Sequence, residues 1–434
     1  MTHRSERLLG VSALARVEGE GAMRVTVRDG RVEDVRLSIY EPPRFFEAFL
    51  RGRAWTEPPD ITARICGICP VAYQLTACAA IEDACGVAVH REEPGIAALR
   101  RLLYCGEWIE SHTLHVYLLH APDFLGLPDA LTLARTERAT VERGLRLKKA
   151  GNDLLETLGG RAIHPVNVRL GGFHRLPTGA ELARLERQLT QARRDAEEAL
   201  EWVGGFDFPE LEIEHALLAL SEPDRYAIDT GTPLAEPGGA FPVRDFERHV
   251  TEHQVAHSTA LQADLDGRRH LCGPLARWNL NHRRLPAAVQ AAAAGAGLGG
   301  RCTNPFRSIV VRAAEVLWAV DESLRIIADY RPPSRPHLEV PPRAGIGYAA
   351  TEAPRGTLYH RYELDAEGGV RSAVIVPPTA QNQRAVESDL RDFVQARLDL
   401  DDAELTRQCE QAIRNYDPCI SCAAHFLDLT VDRG

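Results

Sequence analysis

The 434-residue sequence contains no run of 18 apolar residues, so no transmembrane helix is expected. Its first residues, Met1 to Arg7, lead into no apolar signal core, and export by its own Sec signal is not expected. Positive charge is not in excess. The formal net charge of −10 argues against a nucleic-acid surface. Repeats, low-complexity segments and Pro- or Gly-dense linkers are missing, so residues 1–434 read as one domain. Neither nucleotide-binding glycine fingerprint occurs. The glycines of Gly159-Gly160 and Gly171-Gly172 have the wrong spacing and suggest tight turns. Ten cysteines in so long a chain are not a disulfide framework, and the pattern fits a reducing cytoplasm. What is present, 44% hydrophobic and 26% charged residues, is the composition of a soluble globular protein.

Four of the cysteines form two Cys-x-x-Cys pairs, Cys66/Cys69 and Cys419/Cys422, far apart in the chain. Two intervening residues let both sulfurs of a pair point at one metal. Two such pairs make a four-thiolate site that closes only when distant segments meet. Soft thiolates suit zinc, copper(I), iron–sulfur clusters and nickel, and affinity order alone does not choose among them. A structural zinc site and a redox disulfide are the plainer readings. The other six, Cys78, Cys85, Cys105, Cys272, Cys302 and Cys409, are scattered and read as small core residues.

Periodicity predicts a mainly α chain with small β-hairpin elements (α+β). Residues 22–40 alternate apolar and polar around Asp29-Gly30, a β-hairpin. Pro43–Arg53 has a helical pattern ended by glycine, and Val71–Val87 is strongly helical. From about 94 to 330 the pattern is that of a long helix bundle, clearest around Leu99–Ile109, Thr178–Val203 and Pro305–Tyr330. Residues 205–270 are mixed. A second hairpin is expected over 357–377, with Asp365, Gly368 and Gly369 in its turn. A closing helix from about Glu387 to Asn415 should lead into Asp417-Pro418. His112-x-x-His115 has the spacing of a metal pair, but nothing completes a motif, so core histidines are the expected reading.

The flanks of the cysteine pairs, Arg64 before the first, Asp417-Pro418 before the second and His425 after it, resemble the two motifs of the [NiFe] hydrogenase large subunit. The resemblance extends over nearly the whole chain. Cys66-Gly67-Ile68-Cys69-Pro70-Val71-Ala72-Tyr73 looks like the cytoplasmic, NAD(P)-linked and sulfhydrogenase α-subunit subgroup. Many members have a His where Tyr73 stands.

This resemblance implies nickel held by all four cysteines, with Cys69 and Cys422 bridging to an iron that carries CO and cyanide. It implies heterolytic cleavage of H2, with Cys419 or the region of Arg355 receiving the proton. Glu18 matches the proton-relay glutamate and Asp123 an aspartate orienting Arg355. Pro378 and Thr379 match the loop contacting the iron's diatomic ligands. Glu47 and His425 match ligands of a second, hard-cation site for magnesium or iron. Residues 426–434 match a tail commonly removed by a maturation protease. No nucleotide is expected on this chain, and six spare cysteines cannot also hold several clusters. An iron–sulfur small subunit and flavin- and NAD(P)-binding subunits are the implied partners. The alternative is a metal-free or zinc-stabilised relative serving as a subunit of a redox complex.

Overall fold

The computed structural model describes residues 6–40 and 45–424. Strands β1 (Glu6–Val11), β2 (Gly21–Arg28) and β3 (Arg31–Ile39) form an antiparallel sheet in that order. The expected hairpin turns at Asp29-Gly30, and β1 adds a strand that its sequence pattern did not suggest. Met23, Val25, Val27, Val35 and Leu37 fall on one buried face, as the two-residue period requires. Helix α1 (Phe46–Leu50) is shorter than the 43–53 reading, part of which lies outside the described residues.

Helix α2 (Pro70–Cys85) begins at the second cysteine of the first pair. Apolar and small on nearly every side, it is buried nearly all round. The bundle consists of α3 (Pro94–Leu114), α4 (Arg138–Gly159), α5 (Gly179–Gly204) and, further on, α7 (Ser308–Asp329). Thr178 and Glu181 form a capping box that starts α5. Helix α3 runs into a π-helical turn, His115–His120.

The mixed stretch turns out to be a small β region. Strands β4 (Ala216–Ser221) and β5 (Thr232–Glu236) pair antiparallel, and Leu218 and Leu220 pack with Phe241 and Phe246 in a second apolar cluster. The short helix α6 (Pro274–Asn281) then returns the chain to α7.

Strands β6 (Gly345–Ala353), β7 (Gly356–Leu364) and β8 (Val370–Val376) form a second antiparallel sheet. The second expected hairpin is β7–β8, and β6 precedes it across the Ala-Pro-Arg-Gly turn. The closing helix is two helices, not one. Helix α8 (Pro378–Gln395) starts earlier than read, and α9 (Asp402–Arg414) starts anew where the Asp401 side chain accepts from the Glu404 N–H. A cap of that kind begins a helix and so interrupts the longer one. A final turn of helix, α10 (Ile420–Ala423), carries the last cysteine.

The sheet and α2 touch backbone to backbone. A Cβ on Gly347 would stand 1.9 Å from the Ala80 carbonyl oxygen and 2.3 Å from the Ala84 nitrogen. Gly347→Ala should therefore destabilise the fold by about 3 kcal/mol and lower Tm by several degrees. Thermal unfolding checks this; an unchanged Tm would show that the contact is not limiting.

Candidate metal centre

Cys66 and Cys419 bring their sulfurs to 3.4 Å, Cys69 and Cys422 to 3.5 Å, and Cys419 and Cys422 to 2.8 Å. All four ligand atoms lie within 4.8 Å of one another, all four residues are buried, and none is in a disulfide. Sulfurs bound tetrahedrally to one ion at about 2.3 Å stand roughly 3.8 Å apart; the 3.4 and 3.5 Å separations approach that, and the 2.8 Å Cys419–Cys422 pair would open slightly around a soft cation. The thiols do not ionise alike. Hydrogen bonds from Cys419, Cys422 and Cys69 push Cys66 well below the usual thiol range, whereas burial pushes Cys419 and Cys422 up. A cation would reverse that reluctance by neutralising the shared charge. Among the described residues this is the only group of three or more Cys, His, Asp or Glu with such convergence.

The first pair is built by the start of α2. The Ile68 and Cys69 N–H groups both point at the Cys66 sulfur at 3.3 Å. Cys69 is the N-cap residue but makes no side-chain cap bond. Glu107, from α3, caps the helix instead: its carboxylate accepts from the Val71 N–H at 2.6 Å and the Ala72 N–H at 3.1 Å. Burial pushes this carboxyl well above the usual range, and the Val71 N–H opposes the shift. Sequence reading missed Glu107. The available signal was a helix opening Cys-Pro with no capping side chain of its own. Burial and the neighbouring Cys422 and Cys69 sulfurs push the Tyr73 hydroxyl well above its usual range.

The second pair is held by Glu18 and by α8. Glu18 pairs with Cys419 in a short parallel bridge, its carbonyl accepting from the Ile420 N–H. Its carboxylate accepts from the Ser421 N–H at 3.0 Å and lies 3.1 Å from the Cys419 sulfur. Glu18 is half-buried, so it spans from the fully buried Cys419 toward the exterior. The buried Thr379 hydroxyl, in the first turn of α8, accepts from the Cys419 N–H at 3.1 Å, with buried Pro378 beside it.

Arg355 sits in the β6–β7 turn, 2% exposed. Its partner corrects the sequence expectation. Asp417, not Asp123, receives it: Nε donates to the Asp417 carbonyl at 2.8 Å and Nη2 to Oδ1 at 3.1 Å. Burial would lower the guanidinium's pKa, but Asp417 and the Cys419, Cys69 and Cys66 sulfurs hold it well above the ordinary value. Asp123 instead takes Arg414 through both oxygens, at 2.7 and 2.9 Å, and also Arg16. The reason is position. Asp123 follows the π-turn and faces the end of α9, whereas Asp417 is two residues from Cys419. Asp123 thus ties down the approaches to Glu18 and to Cys419, not the arginine.

The histidines behave as core residues. His112 Nε2 lies 3.0 Å from Glu315 Oε2, and burial pushes its pKa down to about 4. His115 Nε2 is 2.7 Å from the Arg414 carbonyl. Glu47, half-buried on α1, accepts from the Ile375 N–H at 2.7 Å. His425 and the tail 426–434 lie outside the described residues.

Comparison with known proteins agrees with this geometry. The family model of nickel-dependent hydrogenases matches residues 44–157. Sulfhydrogenase 1 subunit alpha of Pyrococcus furiosus is 34% identical over 96% of this chain and 98% of its own. The NAD-reducing hydrogenase HoxS subunit beta of Cupriavidus necator is 28% identical over 97% of this chain and 95% of its own. The crystal structure of an NAD+-reducing [NiFe]-hydrogenase in the H2-reduced state superposes with a TM-score of 0.86 at 27% identity, over 96% of this chain and 99% of that one. The chain belongs to the nickel-dependent hydrogenases, as a large, catalytic subunit. Its relatives include sulfhydrogenase α subunits and a subunit of an NAD-reducing enzyme.

Glu107→Ala would leave the Val71 and Ala72 N–H groups unpaired in a dry site. It should cost about 1–3 kcal/mol and lower the nickel bound per chain. Glu107→Gln, which keeps an acceptor, should retain most of both. Unfolding curves and metal analysis of the two variants decide it, and equal behaviour would remove the capping role.

Proposed function

We propose that this chain is the catalytic subunit of a [NiFe] hydrogenase that oxidises H2 or reduces protons. The observation that carries the reading is the convergence of four buried sulfurs beside one buried guanidinium and one half-buried carboxylate. Cys66, Cys69, Cys419 and Cys422 would hold nickel. Cys69 and Cys422, neighbours at 3.5 Å, would also bridge to iron. Pro378 and Thr379, at the start of α8, would contact CO and cyanide on that iron. When bound, such a centre supplies the electrophile that polarises H2 and the sink for its electrons.

The chain's own groups handle the proton. Cys419, as a thiolate, would be the acceptor, and its sulfur lies 3.1 Å from the carboxylate of Glu18. Glu18 takes that proton at the oxygen 3.1 Å away and carries it toward the exterior. Arg355 keeps its own proton, because nearby anions raise its affinity for it, so it serves as a fixed positive charge and hydrogen-bond donor, not a base. Burial strengthens each of these interactions. Glu47 and His425 would hold magnesium or iron at a second site, and a maturation protease would cut after His425.

Electrons leave by another chain, because the described residues contain no second cluster of cysteines. An iron–sulfur subunit would receive them, and flavin- and NAD(P)-binding subunits would follow; the likeness to NAD-reducing hydrogenases supports the last of these. No helix among the described residues is long and apolar enough to cross a membrane. Ten cysteines, four in two pairs and six scattered singly, are a sequence pattern that suits the cytoplasm.

Metal analysis should find nickel together with iron, and infrared spectra should show CO and cyanide bands; zinc alone would replace this reading with a structural one. Glu18→Gln should keep the nickel and lose about 10²- to 10⁴-fold in H2 turnover, the usual worth of a positioned proton carrier. Full turnover in that variant would remove Glu18 from the route.

A further inference from the structure

The segment Gly273–Asn279 carries none of the chemistry above, yet it abuts the turn that presents Arg355. A Cβ on Gly273, whose φ is +101°, would stand 2.5 Å from the Arg355 carbonyl oxygen. One helical turn on, Arg277 is 1% exposed. All five of its N–H donors are used. Nη1 donates to the Ala353 carbonyl at 3.0 Å and Nη2 to the Pro354 carbonyl at 2.9 Å, the two residues immediately before Arg355. Nε and Nη2 also reach both oxygens of Glu315, at 2.7 and 2.8 Å, and Nη1 reaches Glu352 at 3.0 Å. The guanidinium lies 4.3 Å over the Trp108 ring, whose indole N–H donates to the Glu352 carbonyl at 2.9 Å.

We propose that Arg277 is the positioning residue of Arg355, acting through the β6–β7 turn. This rests on the hydrogenase reading for the meaning of Arg355 but not for the contact itself. The Arg355 guanidinium is held at its tip by Asp417 alone, and its Nη1 has no hydrogen-bond partner among the described residues. A charge steered to one side by a single carboxylate needs its backbone fixed at the other end. Arg277 supplies that anchor, and α7, through Glu315, holds Arg277. The planar fork is needed because five acceptors on three elements must be met at once. A lysine brings the same charge but three donors on one atom.

The test uses the assembled enzyme carrying Arg277→Lys, Arg355→Lys, or both. In R277K, amide exchange at Ala353, Arg355 and Gly356 should quicken by about tenfold, a local opening that needs no bound metal to be read. Nickel and iron content should not change. The kcat for H2 oxidation should fall about tenfold with KM for H2 unmoved, and the double variant should be no slower than R355K alone. Unchanged exchange at the turn, or losses that multiply in the double variant, would overturn the proposal. Absence of nickel or of H2 turnover in the unmodified enzyme would defeat the hydrogenase reading, while the exchange measurement would still decide the Arg277 contact.

Discussion

Cys66 and Cys419, 353 positions apart, must bring their sulfurs to 3.4 Å, and most of the fold serves that meeting. Thiolates attract a cation but repel one another, so the protein has to hold them in place by other means. It does so with groups aimed at the backbone on either side of each sulfur. Glu107 caps the helix that Cys69 opens, Thr379 takes the Cys419 N–H, and Glu18 takes the N–H groups of Ile420 and Ser421. These bonds are made to backbone groups beside the sulfurs; only Cys66 also accepts N–H groups at its sulfur, from Ile68 and Cys69.

Charge is arranged by the same economy of contacts. Arg355 is the buried cation nearest the sulfurs, and Asp417, on the segment that carries Cys419, both orients and partly neutralises it. Asp123 performs the matching task at a distance. By gripping Arg414 and Arg16 together it joins the two stretches that meet in the Glu18–Cys419 bridge. Three acids near one centre thus have three different duties: Glu18 faces a sulfur, Asp417 an arginine beside it, and Asp123 the arginines that lead in.

Much of this was legible in the sequence, for physical reasons. The cysteine spacing states a local geometry directly, the alternation over 22–40 and 357–377 specifies paired strands, and apolar spacing marks α3, α5 and α7. What could not be read depends on contacts between distant segments. Nothing local distinguishes Asp123 from Asp417 as the partner of Arg355. Glu107 looks like any helical glutamate beside Trp108, and its duty appears only when α3 lies across the start of α2. The break at Asp401, by contrast, is local: Asp401 and Asp402 stand where the apolar spacing calls for a core residue, and Asp401 caps a new helix through the Glu404 N–H.

The Cys419–Cys422 segment also has a bearing on how the centre could be filled. Ile420 and Ala423 pack on Ile39 and Ala260, Cys419 and Cys422 lie in the main core, and Glu18 and Thr379 hold the segment by hydrogen bonds. The segment lies across the half-site at the start of α2 and brings the second pair of sulfurs to the first. An ion held there would be enclosed by four buried sulfurs, two contributed from each end of the chain.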